Sequence, residues 1–282
     1  MNVDVKQGYV KHAAMAQLHR WYQIYENAET PIANQLDILE LDIKLKSGLG
    51  EGIGHAAYVQ RIDQLPKTWK NAHFVRSALV TLDADGVIGL DASLTYLNQG
   101  MQADGSVRTA ELKYTTALRR TAALLPKFSR VEITQISEGT AAEFRPAYVE
   151  NRVLSLIHYW LALVEDPERG LEPFTEILAD GFELQFSSGP ITDFKALELW
   201  LRGPASATVA STHEMANFSC EQVDQTTYRA QADFGWRGIL PDDQLMVGKT
   251  RHHWQVVNDP KERFARIKAL EVEVLEPFKP QP

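Results

Sequence analysis

His19-Arg20-Trp21 and His158-Tyr159-Trp160 stand 139 residues apart (158 − 19), and the same shift lays Glu26 on Glu165, Glu29 on Glu168, Ile38 on Ile177 and Leu39 on Leu178. One offset serving a whole helical segment is the signature of an internal repeat, and a repeat decides the architecture before any local reading does. Beyond that segment the alignment places a two-residue insertion near Asp180-Gly181. The shift then becomes 141, with Asp42-Ile43-Lys44-Leu45 on Glu183-Leu184-Gln185-Phe186 and Ser47-Gly48 on Ser188-Gly189. Further on, His73 falls on His213 at a shift of 140. The 282 residues are therefore read as two copies of ordinary domain length. The joint is expected in Glu143-Phe144-Arg145-Pro146-Ala147, where proline interrupts regular structure, giving domains 1–145 and 146–282.

Each copy shows the same succession of patterns. A long helix is expected over 11–29 and over 149–165, with Leu18, Trp21, Tyr22 and Tyr25, or Leu156, Trp160, Leu163 and Val164, at helical spacing. Pro31 and Pro167 end these helices. A short helix (32–40, 171–179), a strand (41–46, 182–187) and a third helical piece (54–64, 192–202) follow. The rest is long strands joined by turns such as Asp83-Ala84-Asp85-Gly86, Ala103-Asp104-Gly105 and Pro241-Asp242-Asp243. Helices first and an antiparallel sheet afterwards make the class α+β.

Two stretches in the second copy carry a family resemblance. Thr212-His213-Glu214-Met215-Ala216-Asn217 is similar to the T-x-H-x-x-x-N pattern of SnoaL-like enzymes, and Gly248-Lys249-Thr250-Arg251-His252-His253-Trp254 resembles the Gly-to-Trp strand of the same group. With the order of elements, they make the chain resemble the NTF2-like (cystatin-like fold, SnoaL-like) superfamily in two tandem copies. The resemblance implies two cone domains, each with N-terminal helices packed on a strongly bent antiparallel sheet. It also implies an intramolecular pseudo-dimer, open to further oligomerisation. The first copy departs from both motifs. It has His73 but Ser77 in place of Asn217, and Ala110 to Thr116 carries neither the Gly nor the Trp.

Composition narrows the function classes. With 44% hydrophobic and 23% charged residues the chain reads as an ordinary globular protein, and its net charge of −8 gives no electrostatic footprint for nucleic acid. The start, MNVDVKQGYVKH, lacks the apolar core of a secretory signal and no stretch is apolar enough to span a membrane, so a cytoplasmic location without membrane partners is expected. Cys220 is the only cysteine, which excludes an internal disulfide and a cysteine-rich metal site; no metal and no cofactor is expected. The run Gly48-Leu49-Gly50-Glu51-Gly52-Ile53-Gly54 fits neither a dinucleotide fingerprint nor a phosphate loop and is read as a loop.

Candidate chemistry concentrates on one strand. Period-two geometry puts His213, Met215 and Asn217 on one face, so an imidazole and an amide are expected to project into one pocket. There His213 serves as base for a proton alpha to a carbonyl and Asn217 donates to the developing oxyanion. The blander alternative is a histidine that only ties the strand to a helix. His252 and His253 are adjacent and point to opposite faces, so at most one lines the pocket, with Trp254 beside His252. His158, Trp160 and His73 complete the candidate lining, His158 and Trp160 being too far apart around their helix to form one surface. Three functions follow: a cofactor-free dehydratase, isomerase or cyclase acting on a small apolar carbonyl compound in the second copy; a non-catalytic binder of hydrophobic small molecules; or a structural protein whose pockets are filled by its own side chains.

Overall fold

The computed structural model describes residues 3–168 and 170–281. In chain order the first half runs α1 (Val3–Lys6), α2 (Gly8–Glu26), α3 (Ile32–Leu36), β1 (Leu39–Ser47), β2 (Gly50–Ile53), α4 (Gly54–Asp63), β3 (Lys70–Leu82), β4 (Ile88–Gln99), β5 (Val107–Arg119) and β6 (Lys127–Ala141). The second half repeats it: α5 (Tyr148–Glu165), α6 (Phe174–Ile177), β7 (Leu178–Phe186), β8 (Gly189–Ile191), α7 (Phe194–Arg202), a 3-10 turn (Pro204–Ala207), β9 (Ala210–Gln222), β10 (Thr227–Ile239), β11 (Leu245–Val257) and β12 (Arg266–Pro280). The α+β succession expected from the sequence is present twice.

Each half builds one six-stranded sheet, in the orders β2-β1-β6-β5-β4-β3 and β8-β7-β12-β11-β10-β9. The sheets are mixed: β1 runs parallel to β6 and β7 parallel to β12, while the remaining pairs are antiparallel. This corrects the fully antiparallel expectation. The partner of the first strand lies far downstream, where local pattern has no access to pairing. The pairing also removes the proposed insertion at Asp180-Gly181. Leu39 pairs Phe128 and Leu178 pairs Ile267, Lys44 pairs Arg130 and Glu183 pairs Ala269, so the 139-residue shift continues through both strands. Their burial follows the same alternation, with Leu39, Ile43 and Leu45 inside in one and Leu178, Phe182 and Leu184 in the other.

The glycine-rich run is a hairpin. Gly50 at φ 96° turns the chain between β1 and β2, and Gly54 at φ 80° opens α4. In the turn after β3, Asp83 Oδ1 accepts from the backbone N–H of Asp85 and Val87, and Gly86 sits at φ 78°.

The chain partitions into two compact units, which differ from the linear division 1–145 and 146–282: the N-terminal unit comprises 14–151, and the C-terminal unit comprises the residues through Ala13 and those from Arg152 on. Helices α2 and α5 therefore each give their first residues to one unit and the remainder to the other. In the N-terminal unit Trp21 packs on Tyr58 and Phe128 at centroid separations of 5.6 Å each, and a second cluster holds Ala72, Phe74, Leu97, Val107 and Ala147. In the C-terminal unit Trp160 meets Phe174 at 5.4 Å and Trp254 at 6.1 Å, both edge-on. Arg152, 1% exposed, donates to Asn258 Oδ1 and to the carbonyls of Asp259, Glu262 and Arg263, tying down the loop before β12. A buried guanidinium is tolerated because its donors are engaged.

Candidate active site

Both long helices end on a glutamate, and each glutamate reaches the histidine near the start of the third long-range strand of its unit. In the C-terminal unit, Glu165 at the end of α5 accepts from the backbone N–H and the ring Nδ1 of His213 on β9, each at 2.8 Å to Oε1. A carboxylate can only accept, so His213 carries its proton on Nδ1 and presents an unprotonated Nε2 when neutral. Among the described residues of the C-terminal unit no side chain or backbone group hydrogen-bonds that Nε2. Glu165 has no exposed side-chain surface. Burial alone would push its carboxyl up, but the charge and hydrogen bonds of His12 and His213 outweigh burial and hold it below the usual carboxylate range.

The first residues of α2 complete this cluster. His12 Nε2 lies 3.0 Å from the carbonyl oxygen of His213 and 3.4 Å from Glu165 Oε1, while His12 Nδ1 lies 2.9 Å from Nδ1 of His158. Because the carbonyl is an acceptor, His12 Nε2 is protonated and a single proton occupies the contact between the two Nδ1 atoms. Gly8 is required beside it: a Cβ there would collide with Glu165 Oε2 and the Thr212 hydroxyl. Exposed Lys11 pairs with Glu214 at 2.8 Å.

The remaining candidates divide by strand face. His213 pairs Trp236 and Met215 pairs Phe234 across β9 and β10; Phe234 pairs Thr250, and Ala232 pairs His252, across β10 and β11. His213, Met215, His252 and Trp254 thus share the inner face. The rings of His213 and His252 are 6.3 Å apart and those of His252 and Trp254 5.8 Å apart. Burial first, then the charges of His213 and His253, push the pKa of His252 well down, so it is a neutral imidazole; its Nε2 is 3.1 Å from the Thr250 hydroxyl. Its Nδ1, the Trp254 Nε1 and Glu165 Oε2 are buried without hydrogen-bond partners among the described residues. Phe234, fully buried, packs against both histidines, 4.5 Å from His252 and edge-on to His213 at 5.9 Å.

Asn217 is not on this face. The β9–β10 register slips between Gln231 and Asp233, and Asn217 sits in the bulge at φ 52°. A bulge re-aims the side chains that follow it, which breaks the period-two expectation that joined Asn217 to His213. Asn217 Nδ2 instead donates to Asp233 Oδ2 at 2.8 Å, and Arg251 binds the same carboxylate. The Arg251 and Asn217 hydrogen bonds push Asp233 down to about 2. His253 shares this outer face and lies 4.0 Å from Glu273.

Two cavities in the C-terminal unit open elsewhere. One of about 510 Å³ on the outer face is walled by Ser219, Glu221, Arg229, Gln231, His253 and Glu271, among others. One of about 290 Å³ is lined by Lys6, Glu165, Pro167, Val209 and Ala210 and so reaches the rear of the dyad. Neither has His213, His252 or Phe234 on its wall. Among the described residues no group of three or more His, Cys, Asp or Glu side chains is arranged to hold a metal ion, and no helix is long and apolar enough to cross a membrane.

The N-terminal unit repeats the dyad with other surroundings. Glu26 Oε1 accepts from His73 N at 2.8 Å and from His73 Nδ1 at 3.0 Å. The place of His12 is taken by Asn151, whose Nδ2 donates to both Glu26 oxygens and to the His73 carbonyl, and whose Oδ1 accepts from His19 Nδ1 at 2.8 Å. Burial pushes His19 down to about 4, against the pull of that hydrogen bond, so it is neutral. Tyr22 stacks on His73 at 4.7 Å, and Tyr96 and Tyr25 flank it at 5.1 and 6.0 Å.

No family model matches the chain, and no curated protein matches it. Among solved structures, the hexachlorocyclohexane dehydrochlorinase LinA-type3 from Novosphingobium barchaimii is similar over 47% of this chain and 89% of its own, at 14% identity and a TM-score of 0.41. ActVI-ORFA from Streptomyces coelicolor is similar over 45% and 96%, at 11% identity and 0.38. An uncharacterized cystatin-like-fold protein from Caulobacter vibrioides is similar over 46% and 91%, at 13% identity and 0.38. Each similarity spans about one copy. The two units share one architecture, helices followed by a six-stranded sheet in one strand order. In both units the glutamate closing the long helix meets the histidine opening the third strand, a pairing absent from the site expected from sequence. Its signal was present in the repeat, which lays Glu26 on Glu165 and His73 on His213. His12 left no such signal, because its counterpart at the same shift is Asn151.

Proposed function

We propose that the C-terminal unit binds a small, largely apolar carbonyl compound and removes a proton alpha to the carbonyl, with His213 as base, in a cofactor-free dehydration, isomerisation or cyclisation. The observation that carries this reading is the Glu165 Oε1 to His213 Nδ1 bond of 2.8 Å, which orients the ring and leaves Nε2 to accept a proton. Buried Glu165 stabilises the imidazolium that forms, as a buried carboxylate does behind a catalytic histidine. Asn217 has no part in the reaction. The Trp254 Nε1–H, buried and unpartnered, is the donor that replaces it at the developing oxyanion.

A second reading, a structural unit whose interior is filled by its own side chains, is favoured by Phe234, whose buried ring packs against both His213 and His252. Exchange in heavy water separates the two. A panel of steroid-like and aromatic ketones is incubated with the protein in D2O, and deuterium at the alpha carbon is followed by NMR. The enzymatic reading expects incorporation that is lost in His213→Ala. Absence of incorporation across the panel, or incorporation that survives that substitution intact, supports the structural reading.

A further inference from the structure

The C-terminal unit holds its dyad with a residue that can change charge, whereas the N-terminal unit holds the equivalent dyad with an amide that cannot. His12 touches the His213 carbonyl, Glu165 and His158, and Asn151 touches the His73 carbonyl, Glu26 and His19, in the same arrangement. Both bridging residues lie in the opening turns of a long helix. Both are 1% exposed. An imidazole in this place costs more to bury than an amide unless its charge has a use.

We propose that His12 is a positioning residue of the C-terminal dyad: with His158 it holds one shared proton, and through that proton it keeps Glu165 ionised behind His213. The proposal rests on the reading of Glu165 and His213 as a proton-transfer pair, and assigns to α2 a part in a site built otherwise from α5 and β9. Within the C-terminal unit the groups facing His12 are His158 and Glu165 from α5 and His213 from β9, with Glu214 held at the surface by Lys11. Lys6 of α1 lines the cavity beside Glu165, and neutral His252 of β11 stands behind His213. Of these, only His12 and His213 bring a ring nitrogen within 4.0 Å of a Glu165 oxygen among the described residues.

The test is the carboxyl carbon resonance of Glu165, titrated by NMR in the wild-type protein and in His12→Asn, which installs the amide the other unit already uses. Loss of the His12 imidazole, with its hydrogen bond and electrostatic pull on Glu165, is expected to raise the Glu165 titration by about one pH unit. An unchanged titration in a folded variant overturns the proposal. Should His12→Asn fail to fold, nitrogen resonances of the wild-type histidines decide. One protonated and one unprotonated Nδ1 between His12 and His158, or a rapid average of the two, is expected at neutral pH, and two unprotonated Nδ1 atoms overturn it. Deuterium exchange failing while Glu165 shifts as expected would sink the catalytic reading and leave the positioning intact.

Discussion

Glu26–His73 and Glu165–His213 are one pair built twice, and their surroundings have diverged in opposite directions. The N-terminal pair is bridged by Asn151 and enclosed by Tyr22, Tyr25 and Tyr96. The C-terminal pair is bridged by His12, with Phe234 and His252 as its inner-face neighbours. Stacked phenol rings and an amide bridge hold a histidine still. On the proposed reading, an imidazole bridge and a neutral second histidine leave one whose Nε2 is open to a substrate proton. The hydrogen bond from helix-terminal glutamate to strand histidine thus belongs to the architecture of both units, while reactivity is a property of what surrounds it.

The largest expected effect breaks the comparison at the bases themselves. Replacing His213 by alanine should lower proton exchange roughly 10²- to 10⁴-fold, while His73→Ala should leave exchange in the C-terminal unit near wild type; equal losses from both would erase the proposed division of roles. The next lies at Gly8, whose counterpart in the other unit, at the same shift of 139 (147 − 8), is Ala147. The methyl of Ala147 packs with Ala72 and Phe74, whereas a methyl at Gly8 would meet Glu165 and Thr212. Gly8→Ala should destabilise by about 1–3 kcal/mol in chemical denaturation, the usual cost of overpacking.

A smaller effect follows from acid. Since the folded-state pKa of Glu165 lies below its ordinary value of 4.5, its ionisation stabilises the fold above that value, and the contribution is lost as pH falls through the lower folded value. Denaturation midpoints measured from pH 6 downward should therefore fall more steeply below 4.5 in the wild type than in Glu165→Gln. The smallest concerns Asn217. Glycine accepts its left-handed φ of 52°, so Asn217→Gly should leave exchange unaffected and alter stability by no more than about 0.5 kcal/mol. A large loss of exchange would return Asn217 to the site.

The order of helices and strands was legible because burial alternation and helical spacing are local, and the repeat was legible because helix α5 retains the His-x-Trp spacing of α2. Pairing across distance was not. The parallel partner of β1 lies on β6, and the slip that turns Asn217 outward depends on how β10 meets β9. His213 was found from its strand. Its partner Glu165 sits 48 residues earlier on a helix and showed only as a repeated acidic residue. His12 was hidden because chain order assigns it to the first copy, while the fold delivers the opening of α2 to the other unit.

The central claim is that Glu165 fixes His213 with its proton on Nδ1 and a basic Nε2. Nitrogen chemical shifts of His213 at neutral pH test this without any substrate. The account predicts a protonated-type Nδ1 and an unprotonated-type Nε2 that both move when Glu165 is replaced by glutamine. An Nε2-protonated ring, or shifts indifferent to Glu165→Gln, would contradict it.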